Sequence, residues 1–269
     1  MIHPVRRSNI VQVKKNLPVQ SVVGFPISTL SFDGQVDAMM TWAVNRQSKA
    51  VCVSNVHMLM EGYWCTDFAK VLGEADMLTP DGMPLVWVMG LMSGRSYDRV
   101  AGLELMLALC ERAQKSRVGV FLLGSTDEML AEIQRRLRRD FSDLRVVGVV
   151  SPPFRQMSSE EKSAIARQIN RSGAGLVFVS LGCPKQERWM NAHQGKVNAV
   201  MVGLGGAFGV YAGEQRWAPA WVRNCGLEWL YRLKQEPKRL WKRYASTIPP
   251  FLWLAFKQVV KARLGSNSN

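Results

Sequence analysis

Short, continuously apolar segments alternate along this chain with longer amphipathic segments. A strand that is apolar along its whole length belongs in a sheet covered on both faces, and helix-length connections between such strands indicate parallel pairing. The alternation therefore predicts an α/β fold with a doubly wound, mostly parallel, Rossmann-like sheet. With 269 residues, 47% of them hydrophobic, the chain is long enough to bury such a core.

The predicted elements follow one another from residue 22 onward. The predicted strands are residues 22–27, 50–54, a short strand that ends at Thr79, and residues 118–123, 144–150, 176–181 and 199–204. The predicted helices are residues 33–47, 56–72, 84–91, 127–139, 158–171 and 184–193.

The composition changes after Gly213. Residues 214–263 contain eleven Lys and Arg against three Glu, and five of the nine Trp. This pattern predicts a separate basic, Trp-rich helical appendage, whose main helix begins at Pro237 and breaks at Pro249-Pro250. One face of that helix is expected to carry Leu240, Trp241 and Tyr244, and the other face Lys238, Arg239, Lys242 and Arg243.

Charge and cysteine content narrow the function classes. The net charge of +14 predicts an anionic partner: nucleic acid, lipid headgroups or a phosphorylated ligand. The five cysteines form no Cys-x-x-Cys pair and the three histidines are far apart, so neither a disulfide framework nor a zinc site is predicted. No apolar segment follows the basic N-terminal residues, and the apolar run at 251–256 is far shorter than the roughly 20 residues of a membrane span. We expect a cytoplasmic protein without a transmembrane helix.

Two glycine-containing turns follow predicted strands, where ligands bind in a parallel α/β sheet. Gly124 and Ser125 close one strand and open a helix, so free N–H groups would face a phosphate; an ordinary βα turn is the alternative. Gly203 and Gly205 begin a segment that resembles the Gly-x-Gly-x-x-Gly fingerprint weakly, because Phe208 stands at the third glycine and no helix clearly follows.

Five polar residues extend this set of candidates. Lys185 and Gln186 lie in the first turn of a predicted helix, where the dipole disfavours a cation unless an anion is bound; a solvated lysine is the alternative. Asp81 is either a reactive carboxylate or an ordinary turn residue. Asn55 is either a helix cap or a substrate contact, and Arg99 either a phosphate clamp or a solvated charge.

Motifs that hold a metal or activate a serine are missing from the sequence. No Asp-x-Asp pair is present to bind a divalent metal on a nucleotide diphosphate, and neither a P-loop nor a Gly-x-Ser-x-Gly elbow occurs. Helix ends and cations would have to hold any diphosphate. We therefore expect no metal and no cofactor.

Taken together, these segments resemble the WecG/TagA/CpsF family of bacterial glycosyltransferases, glycosyltransferase family 26, over residues 22–256. The resemblance rests on five segments in one order: Ser54-Asn55-Val56-His57, Ala75-Asp76-Met77-Leu78-Thr79-Pro80-Asp81-Gly82, Arg99-Val100-Ala101-Gly102, Gly182-Cys183-Pro184-Lys185-Gln186-Glu187 and Gly226-Leu227-Glu228-Trp229-Leu230-Tyr231-Arg232-Leu233.

The resemblance implies inverting transfer of a sugar from a UDP-sugar to a saccharide on a polyprenyl diphosphate, in the synthesis of exopolysaccharide, capsule or a teichoic-acid-like polymer. It also implies a peripheral protein on the inner face of the cell membrane, whose appendage contacts the anionic membrane surface and completes the active site. Nucleic acid is not an expected partner. The donor sugar, the acceptor saccharide and a homo-oligomeric state stay open.

The resemblance also implies roles for individual residues. Asp81 is the expected general base, Asn55 and Gln186 are expected to touch the donor sugar or nucleotide, and Arg99 to lie near the phosphates. The residue patterns described above, and not the resemblance, add Gly124, Ser125, Lys185, Gly203 and Gly205 to the expected donor site. Those expected at the membrane or acceptor are Arg232, Lys238, Arg239, Trp241, Lys242 and Arg243.

This chain departs from the family pattern at two positions. The family often has Asp after the Phe of the glycine-rich segment and Arg before Ala-Pro, where this chain has Gly209 and Trp217. Because that Asp is implicated in donor contact, its absence leaves the donor sugar undetermined. Arg216 is a candidate to replace the missing arginine.

The expected organisation has four parts. These are a loose basic arm at residues 1–20, an α/β catalytic core at 21–213, the membrane-associating appendage at 214–263 and a disordered tail at 264–269.

Two other functions stay open on the residues alone. A nucleic-acid-binding protein could stack bases on the Trp residues of the appendage and pair phosphates with its Arg residues, but the glycine turns and Asp81 would then have no role. A nicotinamide oxidoreductase would need the full glycine fingerprint and an acidic residue about 20 residues later, which are missing.

Overall fold

The computed structural model describes residues 17–266, and a six-stranded sheet lies at its centre. The strands in chain order are β1 (Val19–Val22), β2 (Phe25–Ser28), β3 (Lys49–Ser54), β4 (Met77–Pro80), β5 (Val120–Gly124), β6 (Val146–Val150), β7 (Leu176–Ser180) and β8 (Val200–Gly203). The central sheet has the order β4-β3-β8-β7-β5-β6, and its neighbouring strands are all parallel. The predicted doubly wound α/β fold is confirmed.

Helices cover both faces of this sheet. They are α1 (Phe32–Val44), α2 (Val56–Trp64), α3 (Thr66–Glu74), α4 (Met83–Ser93), α5 (Gly102–Lys115), α6 (Asp127–Asp140), α7 (Ser159–Ser172), α8 (Lys185–His193), α9 (Ala207–Ala212), α10 (Ala220–Asn224), α11 (Glu228–Gln235) and α12 (Pro237–Ser266).

The buried side chains form two clusters, one on each face of the sheet. Successive strand residues alternate between them: Phe121 belongs to the cluster under α2, α3, α4, α7, α8 and α12, whereas Leu122 belongs to the cluster under α1, α5, α6 and α9. This alternation is the period of two that a strand imposes on its side chains. Burial on both faces explains why the strands are apolar along their whole length.

Two predicted elements are each divided in the structure. The strand predicted at 22–27 is the antiparallel hairpin β1–β2, because Val23 and Gly24 both have positive φ (50° and 89°) and form a two-residue turn. The helix predicted at 56–72 is two helices, because Cys65 between them adopts an extended conformation.

Two helices of the core, within residues 21–213, lie outside the predicted set. Helix α5 buries Leu105, Met106 and Leu109, with the spacing of one helical face. Helix α9 follows the glycine-rich turn, so the expectation that no helix follows there is wrong.

The long C-terminal helix differs from its prediction in two ways. It does not break at Pro249-Pro250 but continues to Ser266, so residues 264–266 of the predicted disordered tail are helical. Phe251 (0% exposed) and Ala255 (3% exposed) pack into the core beyond the prolines and hold this half of the helix in place. The rest of that tail, and residues 1–16 of the predicted basic arm, lie outside the described residues.

The predicted division of α12 into an apolar and a basic face is wrong. Leu240 is 3% exposed and Arg243 is half-buried, whereas Trp241 is 54% exposed. Helix α12 packs on α2 and α4 with its inner face, and the side chain of Gln258 accepts a hydrogen bond from the Val23 N–H at 2.8 Å. The helix is thus part of the fold that supports the site.

The outward-facing side of α12 mixes aromatic and basic residues. We call it the outer face of α12; it consists of Lys238, Arg239, Trp241, Lys242, Leu252, Trp253, Phe256, Lys257, Val260, Lys261, Arg263 and Leu264, which are all exposed. The rings of Trp253 and Phe256 stack with centroids 6.3 Å apart, and the ammonium of Lys257 lies 4.5 Å from the Trp253 ring centroid. Basic and aromatic side chains therefore lie together on one face of α12, and not on opposite faces as predicted.

Candidate active site

The candidate residues of the core meet at the edge of the sheet where the parallel strands end. Asn55 directly follows β3 and Asp81 directly follows β4, while Gly124 and Gly203 end β5 and β8. Gln186 lies in the first turn of α8, the helix that follows β7. The Val100 N–H donates to the Pro80 carbonyl at 2.9 Å, which fixes the neighbouring Arg99 beside the end of β4. The structure thus brings these residues to one edge of the sheet, and their roles in a site stay predictions.

Asp81 lies half-buried at this edge. Its backbone N–H donates to the Ser54 carbonyl at 2.8 Å, which ties the turn after β4 to the end of β3. Burial is the main cause that raises the pKa of the Asp81 carboxyl, to about 7 in all; the charge of Glu228 adds to the rise, whereas Arg232 and Arg99 oppose it. The carboxyl therefore exchanges its proton near neutral pH, as a general base requires.

Arg99 is held by two carboxylates. Its guanidinium donates to Glu228 at 2.7 Å and to both oxygens of Glu104 at 3.1 Å, and the side chain is only 12% exposed. Arg223 also pairs with Glu104, and Arg232 lies 3.4 Å from Glu228. The interpretation of Arg99 as a solvated charge is therefore wrong, and its contact with phosphates stays a prediction.

The segment after Gly213 closes one side of the site. A guanidinium nitrogen of Arg232 lies 3.5 Å from where a Cβ on Gly206 would be, so α11 reaches the turn after β8. Gly226 has φ of 71°, and a Cβ there would lie 2.7 Å from the ring of Trp87 on α4. Only glycine permits this close packing of the segment before α11 against α4.

Gln186 is buried beneath the glycine-rich turn. It is 3% exposed, and a Cβ on Gly203 would lie 3.0 Å from its amide nitrogen, which explains the glycine. The side-chain nitrogen of Gln186 donates a hydrogen bond to the Glu187 carboxyl group at 2.7 Å. The side-chain oxygen of Gln186 has no hydrogen-bond partner within residues 17–266. Burial raises the pKa of the Glu187 carboxyl, and the hydrogen bond from Gln186 opposes that rise.

The turn of Gly124 and Ser125 is tightly constrained. Gly124 has φ of 113°, and a Cβ there would lie 2.3 Å from the Ser180 carbonyl oxygen, so no other residue fits between β5 and β7. Ser125 also has positive φ (72°), and the Thr126 hydroxyl accepts a hydrogen bond from the Met129 N–H at 3.2 Å. The turn thus caps α6; phosphate binding at this helix end stays a prediction.

The first turn of α2 meets the C-terminal helix. Asn55 is the N-cap of α2, and its side-chain oxygen accepts from the Met58 N–H at 3.1 Å. Burial and the positive charge of Arg243 on α12 together lower the pKa of His57, in the first turn of α2, to about 4. The Asn55 side chain thus caps α2, and its contact with the donor stays a prediction.

The remaining predicted residues divide between the site and the outer face of α12. Lys185 is exposed at the first residue of α8, where an anion would meet both its charge and the helix dipole. Arg243 lies near His57 and Cys183, and burial lowers its pKa. Of the other residues predicted for the membrane or acceptor, Arg232 lies beside Glu228 on α11, and the outer face of α12 carries Lys238, Arg239, Trp241 and Lys242.

At both positions where this chain departs from the family pattern, a neighbouring side chain lies against the residue. The Gln215 side chain lies 3.6 Å from where a Cβ on Gly209 would be. The Trp217 ring packs under Arg223, whose guanidinium carbon is 4.0 Å from the ring centroid. The Arg216 N–H donates to the Gln235 side chain at 3.0 Å, which ties this loop to the end of α11.

Sequence reasoning missed the acidic members of the site. Glu104, Glu228 and Glu187 were not predicted as site residues, yet each contacts a residue that was. Glu228 and Glu187 lie inside the family segments quoted above, which was an available signal; Glu104 carried none. The described residues contain no group of three or more His, Cys, Asp or Glu arranged to hold a metal ion.

Comparison with known proteins decides the family. The sequence profile of the glycosyl transferase WecG/TagA/CpsF family matches residues 20–265. This chain belongs to that family. It is therefore a glycosyltransferase, as the resemblance of its segments indicated.

Two curated relatives in this glycosyltransferase family are enzymes of Bacillus. The chain is 30% identical over 239 residues to the N-acetylglucosaminyldiphosphoundecaprenol N-acetyl-beta-D-mannosaminyltransferase of Bacillus spizizenii, covering 86% of this chain and 90% of the relative. It is also 30% identical over 193 residues to the enzyme of the same name from Bacillus subtilis, covering 71% of this chain and 73% of the relative. Within residues 17–266, no helix combines the length and the apolar character needed to cross a membrane.

Proposed function

We propose that this glycosyltransferase moves a sugar, with inversion, from a UDP-sugar to a polyprenyl-diphosphate-linked saccharide in surface polysaccharide synthesis. The names of both relatives specify an acceptor of this kind, a sugar linked through diphosphate to undecaprenol. The observation that carries the proposal is Asp81, a carboxyl with a pKa of about 7 at the carboxyl edge of a parallel sheet. We place the enzyme on the inner face of the cell membrane.

The proposed reaction needs one base. The carboxylate of Asp81 takes the proton of the acceptor hydroxyl while that oxygen bonds to the anomeric carbon from the side opposite UDP, and the bond from the anomeric carbon to the UDP oxygen breaks. Lys185 and the amino end of α6 are the groups proposed to stabilise the negative charge on the leaving UDP. This arrangement requires no metal ion.

The function is tested with a panel of UDP-sugars and a synthetic lipid-diphosphate acceptor that carries N-acetylglucosamine, in buffer containing EDTA. We expect transfer from one donor, with inverted anomeric configuration in the NMR spectrum of the product. Retained configuration, or activity that requires added Mg²⁺, would contradict the mechanism. UDP should raise the melting temperature, whereas NAD and short oligonucleotides, which the alternative functions require, should not.

The donor diphosphate is expected to contact Lys185. Lys185→Ala should weaken UDP binding about tenfold, the size of a lost charge-assisted hydrogen bond, and leave uridine binding nearly unchanged because uridine has no phosphate. Calorimetric titration with both ligands measures this difference. Lys196→Ala, an exposed lysine beyond the other end of α8, is the matched control. Equal losses for UDP and uridine would exclude a phosphate contact.

A further inference from the structure

Glu228 connects the C-terminal segment to the charges around Asp81. It lies in the first turn of α11, and its carboxylate accepts from Arg99 at 2.7 Å and lies 3.4 Å from Arg232. Arg99 precedes α5 in the core, whereas Arg232 is one helical turn after Glu228. One carboxylate thus fixes two guanidinium groups from distant parts of the chain.

Four charged groups change the proton affinity of Asp81. Glu228 and Arg232 come from α11, Arg99 from the loop before α5, and Glu104 from α5. Of the two carboxylates, Glu228 has the larger effect on Asp81, while Glu104 also binds Arg99 and Arg223. These four groups are two cations and two anions, and Arg223 adds a third cation to the network through its pair with Glu104.

The two carboxylates matter because an uncompensated cation weakens a nearby base. A guanidinium within a few ångströms favours the ionised carboxylate and lowers its proton affinity, whereas a neighbouring carboxylate has the opposite effect. Arg99 and Arg232 without Glu228 would leave Asp81 ionised but a poorer proton acceptor. With Glu228 in place, both guanidinium groups are paired with a carboxylate, and its negative charge opposes their effect on Asp81.

We propose that Glu228 is a positioning residue for the transfer reaction, which holds Arg99 and Arg232 beside Asp81 and supplies the negative charge that keeps Asp81 a competent base. The inference rests on the proposed function, in which Asp81 is the base. It assigns a specific task to one residue of α11, the helix that also carries Arg232.

The experiment compares Glu228→Gln with the wild-type full chain by two readouts. The first is the pKa of Asp81, measured from ¹³C-carboxyl NMR spectra assigned with Asp81→Asn; the variant should lower it by about 1 pH unit. The second is the pH dependence of kcat, whose acidic limb should move to lower pH by the same amount. The rate above the limb should fall because the base is weaker.

Two further variants separate electrostatics from structure. Glu228→Asp keeps the charge and should restore much of both shifts, whereas Glu132→Gln, which removes a carboxylate that pairs with Arg135 and Arg136 on α6, should change neither. An unchanged Asp81 pKa in Glu228→Gln, or a fall in kcat with an unmoved acidic limb and an unmoved pKa, overturns the inference. A lowered pKa with an unmoved limb supports the placement of Glu228 and rejects Asp81 as the base.

Discussion

Asp81→Asn should bind UDP as the wild type does and lose sugar transfer by about 10²-fold or more, the loss expected when a general base is removed. The amide has a similar size and cannot accept the proton of the acceptor hydroxyl. Because Asp81 lies at the end of β4 and makes its backbone hydrogen bond to Ser54, the substitution should leave the fold intact. Steady-state transfer assays and calorimetric titration of UDP measure the two properties.

The pH dependence gives a second check on the same residue. The base must be ionised to accept a proton, and burial raises the pKa of Asp81 to about 7. Transfer by the wild type should therefore rise with pH through about 7 and be lost on the acidic side. If Asp81→Asn keeps near wild-type turnover, or an unchanged acidic limb, another group is the base.

Neutralising four lysines on the outer face of α12 should reduce binding to anionic vesicles by about 10³-fold. The substitutions are Lys238→Gln, Lys242→Gln, Lys257→Gln and Lys261→Gln. Each basic residue near an anionic bilayer contributes about 1 kcal/mol, and the neighbouring aromatic rings favour the interface. Co-sedimentation with vesicles of phosphatidylglycerol and phosphatidylcholine measures the effect, which should shrink at high salt.

A matched variant carries the same change of net charge elsewhere. It replaces Lys70, Lys115, Lys162 and Lys196 by Gln, on α3, α5, α7 and the loop after α8. This control should sediment like the wild type, and neither protein should bind neutral vesicles strongly. Equal losses in the two variants would mean that overall charge, and not the outer face of α12, determines binding. Deleting the segment after Gly213 is a poorer test, because Leu240 and Phe251 belong to the core.

The position of the site could be predicted from the sequence because the fold follows from local patterns. Continuous apolar strands require a sheet covered on both faces, and a parallel sheet brings the ends of its strands to one edge. Asp81, Asn55, Gly203 and Gln186 were therefore placed together without any knowledge of their contacts. The glycines confirm the arrangement, because Gln186 occupies the space beside Gly203.

The partners of the charged residues could not be predicted in the same way. Arg99 and Glu228 are 129 residues apart, and no period in the sequence relates them. The helical pattern also failed to predict which side of α12 faces the core. Arg243 is half-buried and Trp241 is exposed, because packing against the core determines how the helix is oriented. The prolines at 249 and 250 lack the N–H groups of a regular helix, but tertiary packing of Phe251 outweighs that loss.

The order of the strands has a consequence for synthesis on the ribosome. Strand β8 lies between β3 and β7 near the middle of the sheet, yet it is the last of the six to be translated. Until it emerges, the nascent chain holds two half-sheets, β4-β3 and β7-β5-β6, each with an unpaired edge open to wrong pairing. We expect chaperones to bind these edges in chains that stop before Val200, and folding to be completed by insertion of the central strand.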